Sequence, residues 1–155
     1  GAGADKVTVG AGTGADKVIV AAIGDSGTFA APATNTISTT TFDKITGLKA
    51  GDQLSLALYT GAIAHADDGL AAANAVSANT LVGLATTANG DFIVRGTYDA
   101  TANTFVGSAT GADSLFVYDA NILTATTAQE AIVLVGFVAN SVTGINGAAG
   151  LVTLA

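Results

Sequence analysis

The alternation of apolar and polar positions opens with two short period-two runs. Val7 and Val9 fall on one face of a first strand, and Val18 and Val20 do the same in a second. Leu54, Leu56 and Leu58 alternate in the same way. Further on, Phe92-Ile93-Val94, Thr104-Phe105-Val106, Leu115-Phe116-Val117-Tyr118 and the run from Ala131 to Val138 read as successive strands, separated by turn residues such as Asp99 to Asn103 and Gly111-Ala112-Asp113. Sequential strands with short turns are expected to pair antiparallel. The last two, Val142 to Ile145 and Leu151 to Leu154, flank Asn146-Gly147, a strong hairpin signal. Helical spacing occurs once, between Asp67 and Ala88. There Asp67 or Asp68 caps an Ala-rich turn, Leu81, Leu84 and Ala85 recur, and Asn89-Gly90 stops the run. The pattern predicts an all-β chain with at most one short helix.

Composition sharpens this. The 155 residues suffice for one ordinary domain, or for a small repeat segment joined to a compact one. Half are apolar, but only 6% are aromatic and 20 are Gly, which suits short strands and tight turns better than long helices. Acidic residues outnumber Lys and Arg by 12 to 5, so a phosphate backbone is repelled and a cationic partner favoured; nucleic acid is not an expected partner. Cys, Met and Trp are absent, which removes disulfides, thiolate chemistry and Cys-based zinc and leaves packing or hard ions to supply stability. The longest apolar runs, Val18 to Ile23 and Ala131 to Ala139, are far below the roughly 20 residues of a membrane helix, so no transmembrane segment is expected. No amino-terminal signal peptide is visible, which points to a fragment of a longer protein or to export through another signal.

A repeat carries the most specific information. Gly1-Ala2-Gly3-Ala4-Asp5-Lys6-Val7-Thr8-Val9 aligns with Gly12-Thr13-Gly14-Ala15-Asp16-Lys17-Val18-Ile19-Val20, each a Gly-x-Gly-x-Asp turn followed by a short strand. This resembles the nonapeptide Gly-Gly-x-Gly-x-Asp-x-U-x of repeats-in-toxin (RTX) proteins, with U a large apolar residue, which builds a parallel β-roll and binds calcium in its turns. In that frame Gly1, Gly3 and Asp5 match with Val7 at U, and Gly12, Gly14 and Asp16 match with Val18 at U. Ala11 replaces a glycine, and the two aspartates are eleven rather than nine residues apart. The resemblance implies that consecutive turns lie on opposite edges, so Asp5 and Asp16 do not share an ion. The partner of Asp5 is then Gly24-Asp25-Ser26-Gly27, whose aspartate follows Asp16 by nine residues. The implied calcium ligands are Gly1, Gly3, Asp5, Gly12, Gly14, Asp16 and Asp25, with the roll decaying after the last of them and complete rungs lying before Gly1.

A second stretch, Phe42-Asp43-Lys44-Ile45-Thr46-Gly47-Leu48-Lys49-Ala50-Gly51-Asp52-Gln53-Leu54-Ser55-Leu56, is similar to the segment that often follows RTX repeats. It reads as strand, turn and strand, and is expected to cap the roll. Residues from Asp91 onward resemble the terminal domain of type I-secreted or S-layer-like bacterial surface proteins. The expectation is an RTX-like parallel β-roll over residues 1–58, followed over 59–155 by an antiparallel β-rich terminal domain that carries a secretion or assembly signal.

Chemistry points the same way. Glycine-rich turns offer carbonyl oxygens and their aspartates add charge, a donor set that suits Ca²⁺. Gly-Ala-Asp is also simply a good turn tripeptide, as at Gly111-Ala112-Asp113. His65, near Asp67 and Asp68, reads as a loop histidine. Asp43, Asp52, Asp99 and Asp119 sit beside turn residues, where Asp is favoured for its own backbone hydrogen bonds, so paired-carboxylate catalysis has little support. Neither a Gly-x-Ser-x-Gly elbow nor a Gly-x-x-x-x-Gly-Lys loop occurs. The expected function is non-enzymatic: a calcium-dependent structural component of a bacterial cell surface, an S-layer or adhesin region, exported by the type I secretion apparatus and assembling with copies of itself. The alternatives are the non-catalytic secretion domain of an RTX enzyme and a carbohydrate- or cell-binding module.

Overall fold

The computed structural model describes residues 1–22, 24–56, 80–82, 92–119, 129–138, 142–146 and 151–154. Every regular element among them is a strand: β1 (Lys6–Thr8), β2 (Lys17–Val20), β3 (Thr28–Phe29), β4 (Thr36–Ser38), β5 (Asp43–Thr46), β6 (Gln53–Leu56), β7 (Phe92–Asp99), β8 (Thr104–Gly107), β9 (Asp113–Asp119), β10 (Gln129–Val135), β11 (Val142–Asn146) and β12 (Leu151–Leu154). The expected all-β class holds. The predicted helix between Asp67 and Ala88 lies outside the described residues except for 80–82, which are not helical. His65, Asp67 and Asp68 lie outside them too.

The strands form two open, mixed sheets. One runs β1-β5-β10-β9-β7-β8-β4, with β3 also against β10; the other runs β11-β12-β6-β2. The expected antiparallel pairing is found for β7 with β8, β9 with β7, β10 with β9 and β11 with β12. Parallel pairs occur where the early strands meet: β1 on β5, β5 on β10, and β2 on β6. Strands from before residue 58 and after residue 91 therefore hydrogen-bond side by side in both sheets.

The continuous apolar runs explain the core. Successive residues of a strand point to opposite faces, so an unbroken run buries both. Ile93, Phe116, Tyr118, Ile132 and Leu134 of the large sheet join Ile45 on one face, where they pack against Val20, Leu54 and Leu154 of the small sheet. Their neighbours Val94, Leu115, Val117, Ala131 and Val133 point the other way and are covered by Phe29, Phe42, Leu81 and Phe105. At roughly 1.5–3 kcal/mol for each fully buried large apolar side chain, these two clusters dominate the stability of the large sheet.

Turn aspartates act locally, as their positions predict. Asp99 Oδ1 accepts from the backbone N–H groups of Thr101 (2.8 Å) and Ala102 (3.0 Å), closing the β7–β8 hairpin. Asp113 reaches further. Its Oδ2 accepts from Tyr98 N (2.7 Å) and its Oδ1 from Gly136 N (2.7 Å), lacing β7 to the end of β10.

Candidate metal centre

Four aspartates head the four strands of two of the parallel pairs, β1 with β5 and β2 with β6. Lys6, Val7 and Thr8 lie in register with Lys44, Ile45 and Thr46, so Asp5 lies over Asp43. Lys17 to Val20 lie in register with Gln53 to Leu56, so Asp16 lies over Asp52. The two corners share one hydrogen-bond scheme: Asp5 N donates to Asp43 Oδ1 (2.8 Å), and Asp16 N donates to Asp52 Oδ1 (2.9 Å). In return Lys44 N donates to Asp5 O (2.9 Å) and Gln53 N to Asp16 O (2.8 Å). Gly47 follows β5 with φ near 86°, and a β-carbon there would meet the Val9 carbonyl oxygen at 2.5 Å, so glycine is required where the two layers approach.

In place of the expected solenoid roll and its cap, the structure has two open mixed sheets, and the stretch from Phe42 to Leu56 supplies interior strands that lie between β1 and β10 and between β2 and β12. Asp43-Lys44-Ile45-Thr46 repeats Asp5-Lys6-Val7-Thr8 almost residue for residue. That likeness was the available signal, and the missing Gly-x-Gly lead concealed it.

The corners differ in charge. At the Asp16 corner the Lys49 ammonium stands between the layers, 3.0 Å from Asp16 Oδ2 and 3.0 Å from Asp52 Oδ1. Lys49 N also donates to Asp52 Oδ2 (2.9 Å). Burial alone would raise the Asp52 carboxyl, but the N–H donors of Asp16 and Lys49, with the Lys49 charge, outweigh it and hold the group below the ordinary aspartate value. The two carboxylates in turn raise Lys49, first through the hydrogen bond its ammonium donates to Asp16 and then through the one it donates to Asp52. Gly12 and Gly14, exposed in the turn before Asp16, complete this corner.

At the Asp5 corner the position equivalent to Lys49 is Thr40, three residues before Asp43. Asp43 is pushed up, first by burial, then by the charges of Asp5 and Asp25 against the opposing hydrogen bond from Asp5 N. Lys44 does not relieve it, because its buried ammonium turns away to donate to the carbonyls of Thr39 and Phe42 and is itself lowered by desolvation. Asp5 is half exposed, and its Oδ2 lies 3.1 Å from the amino group of Gly1. An open groove of about 580 Å³ runs beside it, lined by Gly3 and Ala4, by Gly24, Ser26, Gly27 and Thr28, and by Thr40 and Thr41.

No protein-family model, curated protein or solved structure matches the chain.

The turn at residues 24–27 is fixed in place from three sides. Ser26 Oγ donates to Ala131 O and accepts from Asp43 N (3.0 Å), Ala131 N donates to Gly27 O (3.1 Å), and Gly24 N donates to Glu130 Oε1. Glu130 is buried and its Oε2 accepts the Tyr118 hydroxyl (2.7 Å); desolvation and that bond raise the Tyr118 pKa strongly. Asp25 spends Oδ2 on the N–H groups of Ala21 and Ala22, both at 2.8 Å. The structure therefore sets Gly3, Asp5 and the turn of Asp25 at the corner of the large sheet and Gly12, Gly14 and Asp16 at the separate corner of the small sheet. Among the described residues no three carboxylate or imidazole side chains gather closely enough to hold a metal by themselves. Any cation here draws on carbonyl and hydroxyl oxygens as well.

Proposed function

We propose that this chain is a calcium-dependent structural component of a bacterial cell surface: the RTX-like region of an S-layer protein or adhesin, exported by type I secretion. One observation carries the reading. Two strand pairs, one in each sheet, run parallel with an aspartate heading every strand, and this supports the reading because the Gly-x-Gly-x-Asp repeat resembles one that places its aspartate turns ahead of parallel strands. The remaining strands, mostly antiparallel, then form a terminal β-rich region.

The charge asymmetry between the corners favours the Asp5 corner for an ion. Lys49 supplies the cation at the Asp16 corner. The Asp5 corner has threonine in the equivalent place, a raised Asp43 and a groove lined by glycine turns and hydroxyls. The Asp5 and Asp43 carboxylates, with Asp25 nearby, and the carbonyls and hydroxyls of the Gly3, Gly24–Gly27 and Thr40–Thr41 turns are oxygen donors of the hard kind that Ca²⁺ takes, and an ion there would draw on several of them. Binding there offsets the mutual repulsion of the three carboxylates and ties the first layer to the turn at 24–27. An affinity of ~10⁻⁴ to 10⁻³ M, usual for extracellular modules, leaves the chain metal-free before export and loaded outside.

Thermal unfolding tests this. At a tenfold excess over Kd, calcium should add about 1.4 kcal/mol and raise the melting temperature by about 3–6 °C. Asp5→Ala should lose most of that rise and Asp16→Ala should keep it; identical curves in calcium and in chelator would remove the ion from the account. Electron microscopy in calcium should show sheets or ordered oligomers, and persistent monomers would count against assembly.

A further inference from the structure

Glu130 breaks the pattern of the face on which it sits. The residues that alternate with it along β10, Ile132 and Leu134, point into the apolar cluster between the sheets, and its cross-strand partner on β9, Tyr118, belongs to the same cluster. Yet Glu130 brings a carboxylate there and is only 3% exposed. Both of its donors are neutral: the Tyr118 hydroxyl donates to Oε2 (2.7 Å) and Gly24 N to Oε1. A carboxylate buried on neutral donors is destabilising relative to an apolar side chain of similar size, so packing alone does not account for it. What it holds is the back of the turn at 24–27. That turn forms one wall of the groove at the Asp5 corner, whereas neither Glu130 nor Tyr118 lines the groove. Gly27 abuts the opposite wall, where a β-carbon would meet Thr41 Oγ1 at 2.2 Å. Ser26 Oγ takes a hydrogen bond from Asp43 N and gives one to Ala131 O, which wedges the turn between β5 and β10 beside Asp43. Thr41 in front and Glu130 behind thus fix where the turn stands.

We propose that Glu130, itself held by Tyr118, is a positioning residue for the cation corner. From behind the turn it keeps residues 24–27 against Asp43 and Thr41 before an ion arrives, and so sets the affinity of the corner without touching the ion. The inference rests on the calcium reading and adds to it two residues outside the oxygen donors. A turn that leaves its place for part of the time weakens binding by the fraction of time it is away, because only the seated form completes the corner. Tyr118 matters through Glu130: its hydroxyl occupies the second carboxylate oxygen and leaves the first aimed at Gly24 N.

The test is a calcium titration of the full chain, ¹⁵N-labelled and followed at Gly3 to Asp5, with amide exchange at Gly24 to Gly27 measured in chelator. Tyr118→Phe removes one donor and keeps the ring. It should speed exchange in the turn and raise the calcium midpoint about three- to tenfold. Glu130→Ala should raise the midpoint about tenfold or more. Glu130→Gln should stay within about twofold of the parent, because its amide oxygen can accept from Gly24 N and its NH2 can donate to the Tyr118 oxygen. Unchanged midpoints in Tyr118→Phe and Glu130→Ala overturn the proposal, even if both variants melt earlier. So does a loss in Glu130→Gln as large as that in Glu130→Ala, which would mean that the charge acts rather than the position. Should Glu130→Ala fail to fold, Tyr118→Phe decides. A parent that shows no saturable calcium shift sinks the calcium reading and this inference with it, whereas a parent that binds alongside variants that bind equally well sinks only the inference.

Discussion

Asp43 and Asp52 hold equivalent places in the second layer, yet their surroundings push them in opposite directions. Asp52 is held low, so its contribution to stability is present above the ordinary value of 3.8 and is lost as pH falls through its lower folded pKa. Asp43 is held high, so its ionised form costs stability, and that cost is relieved as pH falls through its raised pKa towards 3.8. Asp52→Asn removes a fully buried charge from its pair with Lys49 and should destabilise by about 2 kcal/mol at pH 7. Asp43→Asn keeps an oxygen for Asp5 N and should be stable to within about 1 kcal/mol of the parent, on the favourable side, in chelator. Chemical denaturation at pH 7 checks both, and a series carried down from pH 7 towards 3.8 checks the sign at Asp43: the Asp43→Asn variant should lose the relative gain that the parent shows on acidification. A large loss from Asp43→Asn in chelator at pH 7 would mean that the corner is already neutralised from within.

At the scale of elements, the layer contact is as strict as the residue chemistry. Gly47→Ala puts a β-carbon at positive φ against the Val9 carbonyl and should cost about 1–3 kcal/mol, read as a lower denaturation midpoint with unchanged slope. Most strands were legible in the sequence, because the apolar runs at 92–94, 115–118 and 131–135 bury two faces and the Asn146-Gly147 signal separates two strands that do pair. What alternation cannot encode is which strands become neighbours. The sequence pattern makes β5 the start of a cap, but its place between β1 and β10 depends on Ile45 packing against residues nearly ninety positions later. The candidate site was half legible. The aspartate turns ahead of β1 and β2 can be read from the repeat, whereas the Lys49 ammonium at the Asp16 corner and the buried Asp43 emerge only once the strands are paired.

For the whole molecule, two large features share one end: an apolar inter-sheet core that thins out at Val7, Val9 and Val18, and a carboxylate corner with no lysine in the place of Lys49. Both concern the first layer, which β1 and β2 build with little beyond short parallel ladders and partly buried valines. A cation at the Asp5 corner would strengthen the layer that packing holds least, which is the part that the proposed calcium-dependent function requires of it. The most direct measurement is a calcium titration followed by amide resonances. Saturable shifts between ~10⁻⁴ and 10⁻³ M at Gly3 to Asp5, Gly24 to Gly27 and Asp43, with Gly12 to Asp16 nearly still, are the predicted result. Shifts centred on Gly12 to Asp16, or none at 10⁻² M or about ten times the upper end of that range, would contradict it.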